Sequence, residues 1–313
     1  MRMRQKGTIS QTSRGILRNA VVMSHESLHS APSLGEERVL APRRGPGAGI
    51  GQGIARLRDG LAMMLVRAGA TPNMLTVLGF ILTAVAAVGL FLGAGHAPPW
   101  ERRIAPTTVS YWPLTCAIIL TLSFSCDMLD GAMAQTGRLR TPFGALLDST
   151  LDRWADALMF FACALHFATL GHLTYVVLSL AGAAHAALIS YIKARAENLI
   201  DSCRVGFWQR GERCGVLGWG ALTGHIPAAL WILGTLPLLT AVTRLRHAHA
   251  RITRREPTVR RGRLPWHQPR GSAGYDLCIG TVLGFVLAAP WWIPFLYGAS
   301  DPLGVWLRAW VMP

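Results

Sequence analysis

The sequence predicts an all-α integral membrane protein: a six-transmembrane-helix bundle preceded by an N-terminal amphipathic juxtamembrane helix, with one extra apolar helix available near the C-terminus. Three observations carry this expectation. Of the 313 residues, 51% are hydrophobic and only 15% charged, with a mean hydropathy of +0.33, a balance foreign to an ordinary soluble domain. The apolar residues gather in runs long enough to cross a bilayer. The net charge of +15 comes from arginines in the tails and in the loops between those runs, which is how polytopic membrane proteins place Lys and Arg beside anionic headgroups. Nucleic acid is not the expected partner, because the Arg run at 244–263 is interleaved only with His and offers no large aromatic for base stacking. The six cysteines, Cys116, Cys126, Cys163, Cys203, Cys214 and Cys278, form no C-x-x-C pair and read as small core residues.

Residues 1–46 are rich in Ser, Gly, Pro and Arg without periodicity and read as a disordered basic arm. No apolar core follows the early arginines, so the arm does not have the form of a secretory signal. Residues 48–70 place Ile54, Leu57, Leu61 and Leu65 at helical spacing with Arg56, Arg58 and Arg67 nearby, the pattern of a helix lying at the membrane surface. Pro72 can open the first span, which runs to about Leu92. After a loop at 96–110, the second span runs from about Tyr111 to Asp127. A connector with Gly131, Gly137, Arg138, Arg140, Pro142 and Gly144 leads to the third, about Ala145 to Leu170. The fourth covers about His172 to Tyr191, and the fifth, about Cys214 to Thr223, is short unless it begins near Phe207. The sixth runs from about Pro227 to Val242. A final apolar segment, about Leu277 to Leu296, is broken by Pro290 and Pro294; its length and prolines fit a seventh span, a re-entrant piece or an interfacial helix equally. His166 and His185 lie within spans and read as packed helix-contact residues. Trp100, Trp112, Trp291 and Trp292 sit near span ends, where aromatic belts form.

Strict alternation of six spans puts the polar residues at their ends on one side of the bilayer: Asn73 and Thr76, Asp127 and Asp130, Asp148 and Asp152, Lys193 and Arg195, Arg210 and Arg213, Arg244 and Arg246. The Lys/Arg asymmetry makes that side cytoplasmic, and ionisable residues within spans mark functional sites. Asp127 and Asp130 are spaced i, i+3; Asp148 and Asp152 are spaced i, i+4. Each pair projects from one face of a helix. Four carboxylates brought together repel one another unless cations sit between them, and hard, oxygen-liganded divalent ions suit that role.

The stretch from Asp127 to Asp152 reads D-x2-D-G-x2-A-Q-x8-G-x3-D-x3-D. It resembles the signature of the CDP-alcohol phosphatidyltransferases, membrane enzymes that move a phosphatidyl group from a CDP-lipid to an alcohol. The match fails only at Gln135, where that signature has Arg. The resemblance implies two divalent ions, Mg2+ or Mn2+, held by Asp127, Asp130, Asp148 and Asp152, with Asp152 also the general base. It implies CDP-diacylglycerol binding by Asn73, Thr76, Asp130, Gly131, Ala134, Gln135 and Gly144. Gln cannot supply the charge of the family's Arg near the nucleotide phosphates, and Arg138 and Arg140 are the nearest residues that can.

YIKARAE, QRGER, VTRLRHAH and LDRWAD resemble the phosphatidylinositol-phosphate synthase branch, with Arg153 and Asp156 following the motif acids in the last of these. The resemblance implies that Lys193, Arg213 and Arg244 hold the phosphate of inositol phosphate, which a basic cluster at headgroup depth suits better than a neutral polyol. It covers about 47–250, the expected catalytic membrane domain; 251–313 is read as a basic linker and a C-terminal apolar segment. The implied protein is a multi-pass enzyme of the cell membrane, homodimeric, among membrane lipids, with its active site facing the cytoplasm. Glycerol 3-phosphate is the alternative acceptor. A transporter is the alternative class, although the sequence shows no repeat and its acids all lie near one surface.

Overall fold

The computed structural model describes residues 46–100, 108–253, 270–298 and 300–311. Nearly all of the expected basic arm, and the basic linker over 254–269, lie outside them. Helices account for the described architecture, and among these residues the only β pairing is an isolated bridge between Ala97 and Val109.

Helix α1 (Pro46–Arg67) covers most of the 48–70 stretch read as helical. Ala62, Leu65 and Val66 pack on Leu75, Ala132 and Met133, while Ile54, Leu57, Leu61 and Met64 stay exposed, leaving an apolar stripe suited to a lipid surface. Helix α2 (Pro72–Gly93) begins at an N-cap on Thr71, with Pro72 in the first turn. It lies close against α3 (Trp112–Thr136), because Gly79, Ala86 and Gly89 present small faces. A β-carbon at Gly79 would come within 3.3 Å of Cys126. The same contact buries a short polar ladder: Ser123 donates to the Gly79 carbonyl at 2.8 Å and sits 2.6 Å from the Thr83 hydroxyl. Helix α4 (Pro142–Thr169) starts with Thr141 accepting from the Gly144 amide at 2.9 Å. Helix α5 (Leu173–Ala196) packs on α4, where a β-carbon at Gly182 would collide with Phe160.

Helix α6 (Arg210–Thr223) has 14 residues, about 21 Å at the helical rise, which is shorter than a bilayer core. It begins earlier than the expected Cys214, at Arg210. The expected sixth span is two abutting pieces, α7 (Ile226–Thr235) and α8 (Pro237–Ile252). Pro237, which has no amide proton, marks the joint. The helix continues through Arg244 and Arg246, well past Val242, where the apolar run stops: helical hydrogen bonding outlasts hydrophobicity. Their packing centres on Phe160, Phe167, Tyr175, Leu217, Leu230 and Leu233.

Among the described residues, five helical stretches are long and apolar enough to cross a membrane: Pro72–Gly93, Trp112–Thr136, Leu173–Ala196, Ile226–Ile252 and Ala273–Trp292. The third and fifth expected spans, α4 and α6, are not among them; α4 carries Asp148, Asp152, Arg153 and Asp156, and α6 is short.

The C-terminal apolar segment forms α9 (Ala273–Trp292), with Pro290 inside it, followed by a short 3-10 turn at Pro294–Tyr297. Its beginning meets the first turn of α6, where Tyr275 bonds Glu212. Its end meets α7 and α5, where Phe295 lies against Trp231 and its carbonyl accepts from the Tyr175 hydroxyl. It therefore runs the length of the bundle. A last helix, α10 (Pro302–Val311), was not anticipated from sequence. Before it, Asp301 accepts from the Thr174 amide at 2.8 Å and the Thr174 hydroxyl at 2.6 Å, placing a carboxylate at the positive end of α5. Burial alone would raise the pKa of Asp301, but the bonds from Thr174 and the Gly304 amide outweigh it and hold the carboxyl below its ordinary value. His166 bridges helices as expected, accepting at Nε2 from the Gly95 amide and facing the Phe91 carbonyl through Nδ1.

Candidate active site

The last turns of α3 and the first turns of α4 carry the four aspartates, and the connector between them turns through Arg138, a non-glycine residue at φ 53°. Carboxylate oxygens of Asp127, Asp148 and Asp152 lie within 4.8 Å of one another. Asp130 is the most buried of the four, 6% exposed, and is turned aside: it accepts from the Thr76 hydroxyl at 2.6 Å. It remains close enough to feel the charges of Asp148 and Asp127. The spacing therefore brings three acids to one point and leaves the fourth against α2.

A residue that the alternation of spans placed on the same side as the acids, without a role, completes the cluster. Arg210, at the start of α6, lies 2.5 Å from Asp127 and 2.7 Å from Asp152. The sequence placed it with Arg213 at the start of the fifth span, on the side of the acids, and assigned it no part in the acid cluster. A cavity of about 10 Å³, lined by Thr76, Asp127, Asp152 and Arg210 among others, has room for a single water-sized sphere. One guanidinium against three clustered carboxylates leaves the group net anionic, and its donors are hard oxygens. That combination fits a divalent cation of the magnesium or manganese type.

The remaining sequence-derived residues fall into two groups. Gly131 is exposed, and a β-carbon there would meet nothing within 4 Å. Gly144 is different: a β-carbon would lie 2.9 Å from both the Asn73 Oδ1 and the Thr141 hydroxyl, so its bare backbone admits the Asn73 side chain over the start of α4. Ala134 is half-buried; Gln135, Arg138 and Arg140 are exposed around the end of α3.

The three basic residues are brought near one another with much of their donor capacity already engaged. Arg213, 3% exposed, pairs with buried Asp156 and donates to the Trp208 carbonyl at 3.2 Å; its Nε is buried without a hydrogen-bond partner. Arg244 donates to the Ile189 carbonyl at 2.6 Å and the Val205 carbonyl at 3.0 Å. Lys193 is half-buried and, like Arg244, lies close enough to Cys203 for its charge to act there. Asp156 thus has a partner on another helix, a role the LDRWAD resemblance did not specify.

Known proteins are similar to this chain. The profile of the CDP-alcohol phosphatidyltransferase family matches residues 69–250. A phosphatidylinositol phosphate synthase of Mycobacteroides abscessus is 34% identical over 200 residues, covering 61% of this chain and 83% of that protein. An archaetidylinositol phosphate synthase of Methanothermobacter thermautotrophicus is 33% identical over 145 residues, covering 44% of this chain and 72% of that one. The crystal structure of the Mycobacterium tuberculosis phosphatidylinositol phosphate synthase with CDP-DAG bound superposes with a TM-score of 0.52 at 29% identity, covering 62% of this chain and 94% of that chain. With the acid motif intact at seven of its eight fixed positions and the matching profile extending over more than half its length, this chain belongs to the CDP-alcohol phosphatidyltransferase family.

Proposed function

We propose that the protein transfers the phosphatidyl group of CDP-diacylglycerol to inositol phosphate and releases CMP. The observation that carries this is the convergence of Asp127, Asp148 and Asp152 within 4.8 Å on facing helix ends; the acceptor follows from the relatives named phosphatidylinositol and archaetidylinositol phosphate synthase. In the reaction, an acceptor hydroxyl oxygen forms a bond to the lipid-side phosphorus, and the bond from that phosphorus to the CMP oxygen breaks.

Asp127, Asp130, Asp148 and Asp152 are the residues to hold two divalent ions, Mg2+ or Mn2+. Such ions, when bound, neutralise the diphosphate and stabilise the leaving CMP. Asp152 takes the acceptor proton, which requires it to part from Arg210. Thr76 orients Asp130. Asn73, Gly131, Ala134, Gln135 and Gly144 border the nucleotide, with Gly131 leaving open room. Lys193, Arg213 and Arg244 bind the acceptor phosphate, with the buried Nε of Arg213 available to donate.

In this reading, 47–250 is the catalytic domain, flanked by the 1–46 arm and the 251–313 segment. The bundle keeps six transmembrane helices, with short α6 and charged α4 lining the site. The enzyme is a multi-pass homodimer of the cell membrane, among membrane lipids, with the acids facing the cytoplasm. The test is CMP release from CDP-diacylglycerol in vesicles with magnesium or manganese, offering inositol phosphate and glycerol 3-phosphate in competition. Release that depends on inositol phosphate and stops on chelation is expected. Preference for glycerol 3-phosphate makes the protein a phosphatidylglycerophosphate synthase, and absence of release with either acceptor overturns the reading.

A further inference from the structure

A cavity of about 810 Å³ lies between α3, α6 and α9, lined by Leu120, Phe124, Val216, Trp219, Ile279 and Leu283 among others. Glycine on α6 keeps it hollow: both Gly215 and Gly218 line it, and a β-carbon at either would meet nothing within 4 Å. At one end it includes Arg210 and Ser123, which also line the small cavity holding Asp127 and Asp152. The groove therefore continues directly from the acids into apolar surroundings.

Its outer wall is α9, which lies beyond residue 250, where the family match ends. Glu212, whose side chain is 3% exposed, fastens the start of that wall. It accepts from Arg270 Nε at 2.8 Å, Arg270 Nη2 at 2.7 Å and the Tyr275 hydroxyl at 2.6 Å. Farther along, Trp219 Nε1 donates to the Leu283 carbonyl at 3.0 Å. A buried carboxylate held by a bidentate guanidinium and a phenol is a specific fastening, because losing the guanidinium strands a buried charge and losing the phenol leaves the carboxylate one donor short.

We propose that α9, latched to Glu212 through Arg270 and Tyr275, is the outer wall of a tunnel for one acyl chain of the CDP-lipid and sets which chain lengths are used well. This rests on the phosphatidyl-transfer reading above. The occupant follows from continuity: a ligand whose headgroup sits at the acids and whose remainder fills a long apolar groove is a lipid. A chain entering the groove leaves one apolar medium for another, so transfer out of lipid contributes little. Discrimination comes from packing, since a chain too short for the groove leaves voids and one too long meets its end.

The test uses full-length protein in phosphatidylcholine vesicles with magnesium and CDP-diacylglycerol bearing a photoreactive group midway along its acyl chain. Light is expected to label the α9 peptide around Ile279 and Leu283. In parallel, kcat/KM for CMP release is measured with long-chain and short-chain CDP-diacylglycerol. Gly218→Trp, which fills the groove, is expected to lower the long-to-short ratio about tenfold. The Arg270→Ala/Tyr275→Phe double variant, which frees the wall, should reduce both the α9 label and the ratio. Tyr275→Phe alone, which removes only one hydroxyl, should shift both in the same direction by less. No label on α9, or a ratio unmoved in every variant, overturns the proposal. If the unsubstituted protein releases no CMP from any chain length, the phosphatidyl-transfer reading fails instead, and the labelling still reports on the wall.

Discussion

The cluster of Asp127, Asp148 and Asp152 is met by one guanidinium, that of Arg210, which contacts Asp127 and Asp152, whereas Arg213 and Arg244 are each met by oxygen acceptors of the bundle itself. The acidic end keeps an excess of like charge at helix ends; at the basic end Asp156 pairs with Arg213 and main-chain carbonyls accept from Arg244, so the donors there are largely engaged. Like charges held together without matching counter-charge cost stability, so the acidic end is where an external cation contributes most. Arg213 and Arg244 brace α4, α5, α6 and α8, and in the proposed function they also present donors to the acceptor phosphate.

The sharpest way to break this contrast is Asp152→Asn. It should reduce turnover about 10²–10⁴-fold, the range for a lost general base, while the thermal unfolding midpoint in detergent stays near that of the parent; retained turnover removes Asp152 as the base. At the other end, Arg213→Ala strands Asp156 as a buried charge and should cost about 3–5 kcal/mol of stability. The double variant with Asp156→Asn should recover part of that loss, and a midpoint indifferent to Arg213→Ala would show that the pair does not brace the bundle. Arg210→Gln removes the competing cation from the acids. Direct titration with Mn2+ should then show tighter binding, by about tenfold, and weaker binding would make Arg210 an organiser of the site. Arg244→Gln should raise KM for inositol phosphate about tenfold with kcat nearly held, because a charge-assisted contact is replaced by a neutral one; an unchanged KM would make Arg244 purely structural. Smallest is Gln135→Arg, which places the family's charge on the exposed end of α3 and should lower KM for CDP-diacylglycerol by about threefold, in keeping with solvent-exposed pairs.

The spacing of the aspartates was legible from sequence because helical periodicity alone carries i, i+3 and i, i+4 pairs to one face. The facing of the two pairs was legible because a short connector joins their helices. The side on which Arg210 lies was legible from the alternation of spans; its contacts with Asp127 and Asp152 were not, since it stands 83 residues from Asp127 and no local pattern links them. The Glu212 latch escaped for the same reason, with Arg270 58 residues away. Asp130 turned aside because Thr76 offered a buried hydroxyl, a choice made by the α2–α3 packing rather than by the motif. Gly144 was expected among the residues that bind CDP-diacylglycerol; its close packing against the Asn73 side chain was not legible from sequence. The boundary of α8 was misplaced because it was read from hydrophobicity, which ends before the hydrogen-bond ladder does.

The bond from Thr174 to Asp301 joins residues 127 positions apart. On the ribosome, the amino end of α5 is made long before the carboxylate that satisfies it. Segments generally acquire structure in the order they emerge, so this helix start must wait for its partner until the segment carrying Asp301 has been made. Maturation of the bundle is thereby tied to synthesis of that later stretch, and a chain released before it lacks the carboxylate that holds the start of α5.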